Sequence, residues 1–116
     1  MGRGTIAATH DGIFHADDVF AAAILRWEFP QVQIVRTRDQ RRLAAADLRF
    51  DVGGRSDGVT DFDHHQREGA GVRPNGVPYA AAGLVWHAFG ERIAGSAAVA
   101  SEVDRGMIQS IDAHDN

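Results

Sequence analysis

The sequence predicts an α/β fold, a parallel sheet flanked by helices. Two observations predict it. Short apolar runs alternate with stretches of helical periodicity, the pattern of strand–helix–strand units. Clusters of carboxylates and imidazoles follow the short runs, and such sheets collect their functional groups at the carboxyl ends of the strands.

Thr5-Ile6-Ala7-Ala8-Thr9 reads as a short buried strand. It runs into His10-Asp11-Gly12-Ile13-Phe14-His15-Ala16-Asp17-Asp18, where Gly12 suits a tight turn. Asp17 or Asp18 is the expected N-cap of the following helix. Phe20, Ile24 and Trp27 recur in it at helical spacing and read as core, and Pro30 stops it at Phe29. Val32 to Arg36 is a second strand, and Asp39 to Ala46 a short helix or turn. The Arg–Asp run from Arg36 to Arg42 reads as a solvated face. Asp47 to Val52 is a third strand ended by Gly53-Gly54, and Val59-Thr60-Asp61-Phe62 a fourth.

Gln66 to Pro78 is a Gly- and Pro-rich loop, long enough in a compact domain to suggest function or mobility. Tyr79 to Phe89 reads as helix, with Ala81, Leu84, Val85 and Ala88 on one face and His87 as a packing or surface residue. Ser96 is a good N-cap for the last helix. Its apolar stripe, Val99, Val103, Met107 and Ile111, has little else in the chain to pack on. Self-association, as a homo-oligomer, or a further C-terminal segment is expected to cover it.

At 116 residues the chain is one small domain or part of a larger one. The absence of cysteine excludes a disulfide framework, a zinc–thiolate site and a Cys nucleophile. Met1 to Gly4 is too short for a signal peptide, and no apolar run approaches a membrane span, so no membrane partner and a cytoplasmic location are expected. The net charge of −4, with twelve arginines and no lysine, argues against a basic nucleic-acid-coating surface. An acidic chain still binds phosphates when cations supply the positive charge.

Asp61-Phe62-Asp63-His64-His65 packs two carboxylates and two imidazoles into five residues. His10, His15 and Asp17 follow the first strand, Asp51 ends the third, and Asp112 and Asp115 lie near the C-terminus. Carboxylate and imidazole without thiolate suit manganese, magnesium, iron or zinc. The ligands exceed the needs of one ion, so two metals bridged by Asp63 are the economical arrangement. A Ser on a strand-to-helix elbow is lacking, and the glycines form neither a GxGxxG nor a P-loop.

Asp63-His64-His65 resembles the signature of the DHH phosphoesterase superfamily. The fuller likeness is to the melanocyte-proliferating-gene-1 family. Thr9 to Asp18, Val35 to Asp39, Asp51 to Gly54, Phe62 to Arg67, Asn75 to Tyr79, Gly83 to Trp86 and Ile111 to Asn116 carry it in order. The resemblance implies a parallel α/β domain with two divalent metals, usually manganese. It also implies phosphodiester hydrolysis of the 3′-to-5′ exoribonuclease type. It assigns His10, His15, Asp17, Asp51, Asp63 and Asp112 to the metals, with His64 or His65 completing the third motif. Many superfamily members have aspartate where His15 stands, and the family tends to have small hydroxyl residues where Ala80-Ala81 stand.

Family members are two to three times longer. The chain is therefore expected to be the N-terminal metal-binding part, residues 1–116, with the second domain absent. Asp63 and His64 are the expected catalytic residues, and His65, Arg67 and Arg73 the substrate contacts. The substrate is RNA or a small phosphate-containing molecule. Hydrolysis of a small phosphoanhydride or nucleotide by the same site is the alternative, and a non-catalytic metal-binding fragment is another.

Overall fold

A computed structural model describes residues 4–116. Its sheet has four strands: β1 (Ile6–Thr9), β2 (Gln33–Arg36), β3 (Leu48–Phe50) and β4 (Asp61–Phe62). They run in the order β2-β1-β3-β4, and every pair is parallel. The α/β expectation holds.

Successive side chains on a strand face opposite ways, and β1 shows both layers. Ala7 enters the main core with Leu25, Phe50, Phe62, Val85 and Ile108. Ala8 enters a smaller one with Leu43, Ala46 and Val52. Helices α1 (Ala16–Glu28) and α3 (Ala81–Ala94) cover the first layer, and α2 (Gln40–Ala45) packs on β1 in the second. The last helix is α4 (Ala97–Val103), a π-helical turn (Asp104–Ile108) and α5 (Gln109–Asp115). Ser96 caps it through the Val99 N–H, as its side-chain chemistry foretells.

Local chemistry sets the boundaries that sequence patterning misses. His15, not Asp17 or Asp18, is the N-cap of α1; its N–H donates to Asp18 at 3.1 Å. Asp17 is turned away, because its carboxylate accepts the N–H groups of Ala81 and Ala82 at 3.1 and 2.7 Å. That contact starts α3 at Ala81 rather than Tyr79 and satisfies helix-terminal donors that Ala80 cannot cap. β4 is only two residues long, because Val59 and Thr60 are wound around Asp57, whose carboxylate accepts the N–H groups of Val59, Thr60 and Asp61. β3 ends at Phe50 because Asp51 has a positive φ of 56°.

Arg49 staples the sheet edge. Its guanidinium donates to Asp61 at 2.7 Å and to the carbonyls of Leu43 and Ala46 at the end of α2. Trp27 corrects the expected aromatic stripe: it is 73% exposed, while Ile24 is buried. The reason is geometric. Trp27 rims an open apolar groove of about 350 Å³ between α1, α3 and the last helix, together with Val99 and Met107. Among the described residues, no helix is long and apolar enough to cross a membrane.

Candidate metal centre

The chemistry-bearing residues meet at the carboxyl ends of β1, β3 and β4. A cleft of about 790 Å³ opens there, lined by His10, His15, Asp17, Asp51, Asp63 and His65 among others. Residues 10, 51 and 63 follow directly on strands in a parallel sheet, so its register alone brings them side by side.

Asp51 stands at the centre. It is buried, and it is the only non-glycine residue with positive φ among the described residues. Aspartate tolerates this conformation better than most residues, but such strain persists only where the surroundings impose it. Its two oxygens face two different sets of partners. Oδ2 lies 3.2 Å from Nε2 of His10, which is itself 2.7 Å from Asp18. Oδ1 lies 3.2 Å from Nε2 of His64 and 3.7 Å from Nδ1 of His65.

His64 is buried and nearly ringed by acid. Its Nε2 lies 3.3 Å from Asp17, 3.2 Å from Asp51 and 3.0 Å from Asp115, and Nδ1 approaches the side chain of Asn116 at 3.3 Å. Burial opposes a charge on the ring, but the carboxylates of Asp17 and Asp51 outweigh it and push the imidazole up to about 11. Burial raises the Asp115 carboxyl, and the negative charge of Asp17 adds to the effect.

Asp63, the expected bridge, lines the cleft and is engaged in hydrogen bonds. One oxygen holds Nδ1 of His65 at 2.7 Å and the N–H of His64 at 2.9 Å; the other accepts the Gly54 N–H at 2.7 Å. It lines the cleft but belongs to none of the groups of mutually close ligand atoms among the described residues. Those groups are His10–Asp18–Asp51, Asp17–Asp51–His64–Asp115 and Asp51–His64–His65. Each group's atoms lie within 4.8 Å of one another, and Asp51 is common to all three. Asp51 is the carboxylate common to these groups, whereas the sequence singles out Asp63 as the bridge.

Asp112 and Arg73, expected at the metals and the substrate, are engaged with each other within the fold. Asp112 is fully buried, accepts the Gly83 N–H at 3.0 Å and lies 2.7 Å from Arg73, so it is occupied by structure rather than turned to the cleft. Burial raises its carboxyl to about 6, against the pull of Arg73. Arg73 is no free loop cation: it is buried, donates twice to Asp104 at 3.0 and 2.7 Å, and covers the ring of Tyr79. Arg67 is exposed and outside the cleft lining, and His15 lies exposed at the cleft rim, outside the ligand groups. His87 is exposed, in keeping with a surface residue.

Asp18 and Asp115, which the sequence reading did not assign to the metals, stand in these groups of close ligand atoms. Asp18 is expected as the helix cap and instead accepts the N–H of the N-cap residue His15; the adjacent Asp17-Asp18 pair signals a second role, because neighbours on a helix point about 100° apart. Asp115 shares a helix face with Asp112 by spacing. The inner turn buries Asp112 under α3 and leaves Asp115 beside His64.

The donor set fits divalent cations. Nε2 of His64 and Oδ1 of Asp51 are buried and make no well-directed hydrogen bond, so a cation would satisfy both. The ligands are hard oxygens and imidazole nitrogens without sulfur, as manganese or magnesium chemistry prefers.

Fold and cleft together define a parallel α/β chain whose acidic, histidine-bearing centre lies at its strand ends. The chain belongs to the MYG1 exonuclease family: the family model MYG1_exonuc, described as an uncharacterised protein family (UPF0160), matches residues 6–116. It is 39% identical over 113 residues to a protein named MYG1 exonuclease from Bos taurus, covering 89% of this chain and 29% of that protein. It is 35% identical over 129 residues to the MYG1 exonuclease of Homo sapiens, covering 93% of this chain and 34% of that protein. A MYG1 protein of Schizosaccharomyces pombe is 43% identical over 90 residues, covering 74% of this chain and 28% of that protein. The chain thus spans about a third of the length of these relatives. No solved structure matches it.

Proposed function

We propose that the cleft binds two divalent cations, manganese by preference, and hydrolyses phosphodiester bonds of RNA from the 3′ end. The observation that carries this reading is Asp51, whose two oxygens face His10 and Asp18 on one side and His64 on the other. A carboxylate shared between two ligand sets is the arrangement a paired-metal site requires. The relatives named MYG1 exonuclease support the class of reaction. When bound, the cations supply Lewis acidity and lower the pKa of a water.

The chain's own residues do the rest. Asp51 links the two subsites, with His10 and Asp18 in one and Asp17, His64 and Asp115 in the other. Asp63 acts as a positioning residue: it orients His65 through Nδ1 and fixes the turn at Gly54. The His65 side chain is 61% exposed at the cleft; its Nδ1–H donates to Asp63, and Nε2 donates to a substrate phosphate when the ring is an imidazolium. Nδ1 is already engaged by Asp63, which settles the orientation of the ring.

The test is release of nucleotides from a 5′-labelled oligoribonucleotide in manganese, beside pyrophosphate as a rival substrate. Stepwise 3′ shortening that is lost in Asp51→Asn is the expected result. Cleavage of pyrophosphate alone would move the assignment to a phosphoanhydride hydrolase. Metal binding without turnover on either substrate would leave a metal-binding domain only.

A further inference from the structure

On the shoulder of the cleft stands a second group of side chains that the metal centre does not use. Ile13 and Phe14 are 83% and 60% exposed, unusual for large apolar residues beside an acidic cleft. Ile13 and His15 line the cleft, whereas Phe14 between them turns out to the guanidinium of Arg36, 4.0 Å from the ring centroid. Arg36 also donates to the carbonyl of Gly12, so one cation holds both the loop and the ring in place. Arg38 lines the cleft beside them, exposed and, among the described residues, paired only with the exposed Asp11 at 3.1 Å.

We infer that Phe14, backed by Arg36, is a stacking platform for a nucleobase of a single strand whose phosphate is bound at the metal centre. Arg38 meets the backbone phosphate between the two. The inference deepens the phosphodiesterase reading and rests on it. Arg36 covers one face of Phe14, so the exposed area belongs to the other face and the edge. An aromatic ring held still by a cation is a preorganised surface for a base, and every base offers a π-face to it. The Arg38–Asp11 pair is a surface pair of little intrinsic strength, which a phosphate can replace. The platform therefore selects bases over bare phosphates without selecting among bases.

The experiment measures binding of two labelled strands in manganese by fluorescence anisotropy. One is a non-cleavable 2′-O-methyl octa-adenylate; the other carries the same phosphates on abasic sugars. The wild-type chain is expected to prefer the base-bearing strand by about tenfold, the usual scale of one base–aromatic stack. Phe14→Ala should bind both strands alike, and Phe14→Trp should restore the preference. Arg38→Gln should weaken both strands by the same factor.

Equal binding of the two strands by wild type overturns the inference, as does a preference that survives Phe14→Ala, or no binding of either strand. Self-association by sedimentation that Phe14→Ala abolishes, with no base preference, overturns it in favour of a protein contact. The manganese-induced melting shift of wild type reports the metal centre separately. Its absence would remove that centre's reading while the strand comparison still decides the platform.

Discussion

Nε2 of His64 lies 3.2 Å from Oδ1 of Asp51, and both atoms are buried without a well-directed hydrogen bond. With no cation bound, a protonated His64 is the positive charge that three carboxylates share. A divalent cation in the same place would take over that role and release the proton. A cation bound there would therefore be coupled to the fold through one ring.

The first prediction concerns which carboxylate is shared. Manganese at about 100 times its Kd should stabilise the chain by about 2.7 kcal/mol, because it binds the folded site and little else. For a domain of this size that is a rise of roughly 10 °C or more in Tm. Asp51→Asn should remove most of the rise, Asp63→Ala only part of it, and His87→Ala none. Thermal melts with and without manganese rank the three; a larger loss in Asp63→Ala would return the bridge to Asp63.

The sequence reveals the place of this centre better than its wiring. The ends of β1, β3 and β4 are legible because Asp51 and Asp63 follow short apolar runs, and a parallel sheet must bring such ends together. Which carboxylate faces which is not legible. Asp51 becomes central through a positive φ, and Asp112 is drawn inward by Arg73 from a loop some forty residues earlier. Neither the backbone strain nor the long-range ion pair leaves a periodic trace. Trp27 fails for a related reason: its helical spacing marks an apolar face, and spacing does not say whether anything covers that face.

The second prediction is a pH dependence of the metal-free chain. His64 has a folded pKa raised from its ordinary value of 6.5 to about 11. A raised imidazole stabilises fully below the unfolded pKa, and the contribution fades as pH climbs toward the folded one. The Tm deficit of His64→Gln relative to wild type, measured in chelator, should therefore be larger at pH 6 than at pH 9. A deficit that is equal at both, or larger at pH 9, would contradict an imidazolium at this position.

A third prediction separates the two aspartates of the last turn. Asp115→Ala should lower manganese affinity by about tenfold or more, as loss of a ligand does, while the metal-free melt changes little. Asp112→Ala should do the reverse. It removes the acceptor of the Gly83 N–H and leaves Arg73 short of a partner, so the metal-free fold weakens first. Calorimetric titration beside urea unfolding reads both quantities, and similar profiles for the two variants would refute the division.

Arg73 gives the fourth prediction. It is buried between Asp104 and Asp112, and breaking such a set from one side leaves carboxylates without their countercharge. Arg73→Met should cost about 3–5 kcal/mol of stability in urea unfolding. An effect below about 1 kcal/mol would mean that Arg73 is a loop cation after all.

The last prediction rests on a close approach. Gly83 sits in the first turn of α3, where its N–H donates to Asp112. A Cβ added there would stand 1.8 Å from Oδ2 of Asp112 and 2.7 Å from the Arg73 guanidinium. Neither group can retreat: Asp112 is fully buried and bonded, and Arg73 is held by Asp104. Gly83→Ala would gain helix propensity of up to about 1 kcal/mol. The overlap should reverse that sign and cost about 1–3 kcal/mol net, the usual range for overpacking a core. Gly106→Ala, in the π-helical turn, meets no neighbouring group within 4 Å beyond its own stretch of helix backbone and serves as the control. Urea unfolding should place Gly83→Ala well below wild type and Gly106→Ala near or above it. A neutral Gly83→Ala would mean that the last helix stands farther from α3, and Asp115 could not then reach His64 as described.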